Sequence, residues 1–120
     1  MDIESVLAPW CESKFGVFSA AATPDDLERQ IPMIRVERIG GGDDRFSAHP
    51  RVAVDVFAAT VDEARELASR VRDSLVFLSG PVPGAVIRSV RCDSGPSRQP
   101  WENESVHRRG ATYTVSLRAA

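Results

Sequence analysis

Between residues 51 and 78 the chain switches its hydrophobic period once, and the switch predicts a strand running straight into a helix. Val52, Val54, Val56 and Ala58 alternate with Arg51, Ala53, Asp55 and Phe57, the two-residue repeat of a strand. Ala64, Leu67, Ala68, Val71, Leu75 and Leu78 then recur at helical spacing. Thr60 and Glu63 stand where each side chain can reach the backbone N–H of the other, and Gly80-Pro81 closes the run. Nothing in this stretch looks catalytic. It reads as scaffold.

Weaker patterns flank it. Asp2 can cap a first helix with Ile3, Val6, Leu7 and Trp10 on one side; Pro9 predicts a short or kinked helix ending near Lys14. Residues 17–22 read as a first strand and 25–30 as a short helical piece after the Thr23-Pro24-Asp25-Asp26 turn. Residues 33–39 form a second strand, with Ile34 and Val36 on one face and Arg35 and Glu37 on the other. A flexible connection through Gly40, Gly41 and Gly42 is expected to continue as a loop to Pro50. Residues 85–93 make a fourth strand, with Val86, Val90 and Cys92 on one face and Ile87 on the other. Residues 112–118 make a fifth, with Tyr113, Val115 and Leu117 facing the core.

The odd segment is 94–110, SGPSRQPWENESVHRRG, which has no helical or strand period. Long loops without structure of their own are uncommon in compact domains and tend to be functional or disordered. This one is expected to lie loosely on the surface of the free protein. The pattern as a whole predicts an α+β fold, one domain over 1–120. Its sheet, mixed or mostly antiparallel and of about 4–5 strands, packs on one long helix and a short N-terminal helix.

Composition narrows the function classes. A chain of 120 residues, 42% hydrophobic and 27% charged, fits one soluble globular core. Its net charge of −2 gives no basic field to draw in nucleic acid. All the basic residues but Lys14 are arginines, a GC-rich coding bias first and a choice for bidentate contacts second. No apolar run approaches the ~18 residues of a membrane span. Cys11 and Cys92, with no secretion signal at the N-terminus, read as free cytosolic thiols.

Catalytic and cofactor motifs are missing. Gly40-Gly41-Gly42 lacks the Gly-Lys-Ser/Thr that would make a phosphate loop. His49, His107, Cys11 and Cys92 share no metal-ligand spacing, and Asp43-Asp44 alone offers too few ligands for a hard cation. Cys92 alternates onto the face of Val86 and Val90, a core position more than a reactive one. Asp55, mid-strand between valines, reads as a carboxylate paired with an arginine. No catalytic, cofactor or metal residue is therefore expected.

Two features remain. Phe57 gives its strand apolar surface on both faces, to be covered either by the chain's own first helix or by a neighbouring subunit. Trp101, with Arg98, Arg108 and Arg109 around it, has the composition of a protein–protein hot spot, or else folds back to cover the sheet edge. Arg45 and Phe46 in the 40–50 loop complete the candidate protein-interface set.

Taken in order, IPMIRVERIGG, HPRVAVDVFA, the DEARELASRVRDSL helix and SGPSRQPWENESVHRRGATYTVSLR resemble the tail terminator, or tail completion, proteins of long-tailed bacteriophages. The likeness is to the actinobacterial phage and prophage type and spans nearly the whole chain. It implies a structural virion protein, not an enzyme, that acts in the tail and assembles in the host cytoplasm. Such proteins form a ring, usually a hexamer, on the head-proximal end of the tail tube. The ring stops tube polymerisation and offers a surface for head–tail joining. The implied partners are further copies of the chain, the tail tube protein and head-neck connector proteins, with no nucleic-acid sequence recognition and no membrane. A head-completion or neck adaptor protein is the nearest alternative. A small ligand-binding α+β domain is a third, and would need Asp55, Tyr113 and an arginine to face one cavity.

Overall fold

Asp2 starts the first helix as expected, its carboxylate accepting the backbone N–H of Glu4 at 3.0 Å. The helix, α1 (Ile3–Phe15), continues through Pro9 and ends at Gly16, whose left-handed backbone returns its N–H to the Glu12 carbonyl. The computed structural model describes residues 2–43 and 47–120. After α1 come β1 (Phe18–Ala20), α2 (Leu27–Gln30), β2 (Met33–Asp43), β3 (Ala48–Ala58), α3 (Val61–Leu75), β4 (Gly80–Val82), β5 (Ala85–Gln99) and β6 (His107–Ala119). Thr60 caps α3 by accepting the Glu63 N–H at 3.1 Å.

Among the described residues the sheet holds six strands in the order β1-β2-β3-β6-β5-β4. Only β1 and β2 are parallel; every other pair is antiparallel. This corrects the expected four to five strands, since the short edge strand β4 is added; α2, on the short helical piece read at 25–30, joins the two helices of the expected fold as a third. Gly80, Pro81 and Val82 of β4 carry no apolar alternation, and Gly80-Pro81 reads as a helix stop rather than as strand.

Both long helices cover one face. Ile3, Leu7 and Cys11 of α1 and Leu67, Val71 and Leu75 of α3 pack on Ile34, Val36, Val52, Val54, Val56, Tyr113, Val115 and Leu117. Ala64 and Ala68 fill out the stripe predicted for α3. A second, smaller cluster lies on the opposite face, made of Leu27, Met33, Phe57 and Val106, with Trp101, Ile31 and Ala20 at its margin.

The strands are longer than predicted. β2 runs through the three glycines to Asp43, and β3 already begins at Ala48. Gly41 makes this possible: at φ +91° a Cβ would collide with the His49 carbonyl on the facing strand. The expected loop at 94–110 is likewise mostly strand, with 94–99 inside β5 and 107–110 inside β6. Gly95, at φ +83°, comes so close to β6 that a Cβ would lie 2.6 Å from the Gly110 carbonyl oxygen. Gly95, in the segment read as a loop, is what lets the strand continue. A 15-residue strand rising ~3.3 Å per residue accounts for a molecule 44 Å long and only 21–23 Å across.

One face assignment also changes. Ile87 and Val90 are both buried against the helices, because the β5–β6 register shifts between Ile87 and Ser89. The bulge inserts one residue and returns Val90 to the face of Ile87. Arg88, which interrupted the expected pattern, sits in that bulge and is exposed.

Candidate functional site

The open face of the sheet is defined by cross-strand register. Along one row Arg35 on β2, Asp55 on β3 and Gly110 on β6 are direct neighbours. Along the next row lie Met33, Phe57, Arg108 and Gln99. Arg35 therefore stands beside Asp55, and Arg108 reaches it diagonally. The Asp55 carboxylate accepts from an Arg35 terminal nitrogen at 2.8 Å and from Arg108 Nε at 2.9 Å. Its side chain is 3% exposed, against 16% for Arg35 and 24% for Arg108. Gly110 leaves the room: a Cβ there would stand 2.6 Å from Asp55 Oδ1.

Trp101 closes this triad from above. Its ring meets Phe57 edge-on at 4.8 Å, and the guanidinium carbons of Arg35 and Arg108 lie 5.8 and 5.7 Å from its centre. Arg35 also lies 5.3 Å from the Phe57 ring. Each such stack adds about 0.5–2 kcal/mol depending on desolvation. Arg35 Nε is buried with no hydrogen-bond partner, so one donor is sacrificed to the packing. Asn103 ties the turn down by donating to Glu28 of α2 and by accepting the Ser105 N–H.

Phe57 is fully buried, under neither the first helix nor another subunit: Trp101, Val106 and Leu27 of the same chain cover it. Trp101 folds back onto the sheet face and stays half-buried, and Arg108 is committed to Asp55. Arg98 is exposed and Arg109 half-buried; both belong to the helix-side row Ser19, Ile34, Val56, Arg109, Arg98, beyond the cover of the helices. Arg45 and Phe46 lie outside the described residues. The adjacent arginines thus split: Arg108 serves the triad and Arg109 faces away from it. Arg35 was missed as a site residue, although an arginine and an aspartate mid-strand in neighbouring strands were visible; the register was not.

A cleft of about 250 Å³ opens beside Trp101, with Arg98, Asn103, Glu104 and His107 among its walls. Farther along the open face Asp93 accepts from Thr114 Oγ1 at 2.6 Å and from Arg91 at 2.9 Å, with Arg51 at 3.7 Å. The Thr114 and Arg91 hydrogen bonds, in that order, hold the Asp93 carboxyl below its ordinary range. On the helix side, burial pushes the Cys11 thiol up to about 12 and raises the Tyr113 phenol as well. Tyr113 faces the helices while Asp55 faces away, so the two never share a cavity. Among the described residues no three His, Cys, Asp or Glu side chains group as a metal site. No helix among them is long and apolar enough to cross a membrane. Phe77, in the turn after α3, is 84% exposed, the one residue of Val76-Phe77-Leu78 turned fully outward.

No family model matches the chain, and no curated protein matches it. Among solved structures the fold is similar to a chain in the virion of a native gene transfer agent particle. That match has a TM-score of 0.58 and 14% identity over 90% of this chain and 84% of the other. The shared feature is the fold.

Proposed function

We propose that this protein is a structural component of a phage-type virion, forming a ring on the head-proximal end of the tail tube. There it stops tube growth and presents the surface that joins the head. The observation that carries the reading is the fold likeness to a virion chain across nine-tenths of this sequence. The tail-terminator resemblance in the sequence points the same way, to a role in assembly without a reaction. Ring closure needs two different patches on each subunit, since a head-to-tail contact closes by rotation. The end of the β5–β6 hairpin, with Arg98 and Arg109, and the end of the β2–β3 pair where Asp43 meets Ala48, at the opposite end of the strands, offer two such surfaces on one subunit.

Native mass spectrometry of the protein with its cognate tail tube protein tests this. A ring of several copies, probed first alone and then bound to tube subunits, is the expected result. Binding to head-neck proteins with no affinity for the tube would reassign the chain as a neck adaptor. A monomer indifferent to both would remove the assembly reading.

A further inference from the structure

We infer that Arg98 and Arg109 form a docking point for a carboxylate, an Asp or Glu side chain on an exposed segment of a protein partner. The two arginines are direct cross-strand neighbours on β5 and β6. Like charges placed opposite each other in a sheet repel, and a free-standing domain gains nothing from them. Neither side chain has an ion pair or hydrogen-bond partner among the described residues. Of the other arginines on these two strands, Arg91 pairs with Asp93 and Arg108 with Asp55, Arg118 donates only to a backbone carbonyl, and Arg88 is likewise unpaired but stands alone in its bulge with no second arginine opposite. An uncompensated pair at the open end of a row whose interior is apolar marks a place where the negative charge arrives from outside.

The chemistry of the surroundings selects the partner. Two planar guanidiniums match a planar carboxylate bidentately, each presenting parallel N–H donors. The cleft of about 250 Å³ that Arg98 helps to wall, with Arg109 just outside it, is smaller than the ~300–1,000 Å³ typical of small-molecule sites, so a side chain suits it better than a metabolite. Glu104 in the cleft wall and Glu102 at the same turn would oppose the successive phosphates of a nucleic-acid backbone, which needs a continuous basic track. A flexible peptide can bring one carboxylate to the arginines and hold its others away from Glu102 and Glu104, which closely spaced phosphates cannot do. The identity of the partner rests on the virion reading; the carboxylate chemistry does not.

The test uses the intact protein, an acetylated and amidated hexaglutamate peptide, and an oligothymidylate of equal charge. Binding is followed by the Arg98 and Arg109 side-chain Nε–H resonances. The expected result is saturable binding of hexaglutamate, weakened about fivefold by Arg98→Gln or Arg109→Gln, the upper range for an exposed ion pair. Thermal melts of both variants should match or exceed wild type, since a repulsion is removed. No binding of hexaglutamate by the wild type, or equal binding by both variants, overturns the inference. Tighter binding of oligothymidylate overturns it in favour of nucleic acid. Particle assembly in the same variants separates the two readings. Normal particles with peptide binding lost would uphold the carboxylate site and remove its role in assembly. Failed assembly of variants that bind hexaglutamate as wild type does would leave the virion reading standing and remove this one.

Discussion

Removing the Asp55 carboxylate should be among the costliest single changes in the molecule. Asp55→Ala deletes two charge-assisted hydrogen bonds, at 2.8 and 2.9 Å, and leaves two guanidiniums facing each other under Trp101. Breaking a buried ion pair by removing one partner costs about 3–5 kcal/mol. Arg35 and Arg108 retain 16% and 24% exposure and can turn partly to water, which argues for the lower end, about 3 kcal/mol. In a domain of this size that lowers the melting midpoint by roughly 10–15 °C. Asp55→Asn separates charge from shape. Its amide nitrogen would point a donor at a guanidinium donor, so Asn should recover only a small part of the loss. Urea unfolding followed by circular dichroism measures both. A loss under about 0.5 kcal/mol for Asp55→Ala, or wild-type stability for Asp55→Asn, would show that the triad is not a stabilising element.

Other outcomes follow from the same structure. Leu75→Ala, at a side chain 1% exposed between α3 and the sheet, should cost about 2–5 kcal/mol in the same unfolding assay. Trp101→Ala with Arg108→Ala should lower the melting midpoint clearly, because the pair uncovers Phe57 and unpairs Asp55; an unchanged melt would mean that the turn is not part of the core. The folded pKa of Asp93 lies below its unfolded value, so its contribution is present above the unfolded pKa and is lost as pH falls through the folded one. Asp93→Asn should therefore flatten the acid limb of a stability–pH profile while leaving the alkaline limb alone. A thiol reagent at mildly alkaline pH should modify half-exposed Cys92 in the native protein and Cys11 only after unfolding, read by mass spectrometry.

How much of this was legible depended on local period. α3 and the faces of Ile34, Val36, Val52, Val54, Val56, Tyr113, Val115 and Leu117 followed from spacing, because a stripe or an alternation is a local property. The segments rich in glycine and proline misled. Residues 94–99 have no alternation because the β5–β6 register shifts between Cys92 and Ser94 and again between Ser94 and Ser97, resetting the faces each time. Gly41 read as part of a flexible connection and Gly95 as part of a loop, yet each sits where two strands approach too closely for a side chain. The Arg35–Asp55–Arg108 triad needed the register of three strands, two of them far apart in sequence, and no local pattern carries that. Trp101 was picked out correctly as unusual, but its partner is Phe57 of the same chain. What the sequence could supply at that end was residue type: three arginines close together, of which the fold uses one and leaves two facing outward.

The central claim is that this chain caps the tail tube of a phage-type particle. Electron microscopy of particles assembled with and without it tests that claim most directly. The account predicts tubes of uncontrolled length and unattached heads when the chain is missing, with a ring restored at the head-proximal end when it is supplied. Tails of normal length joined to heads in its absence would contradict the account.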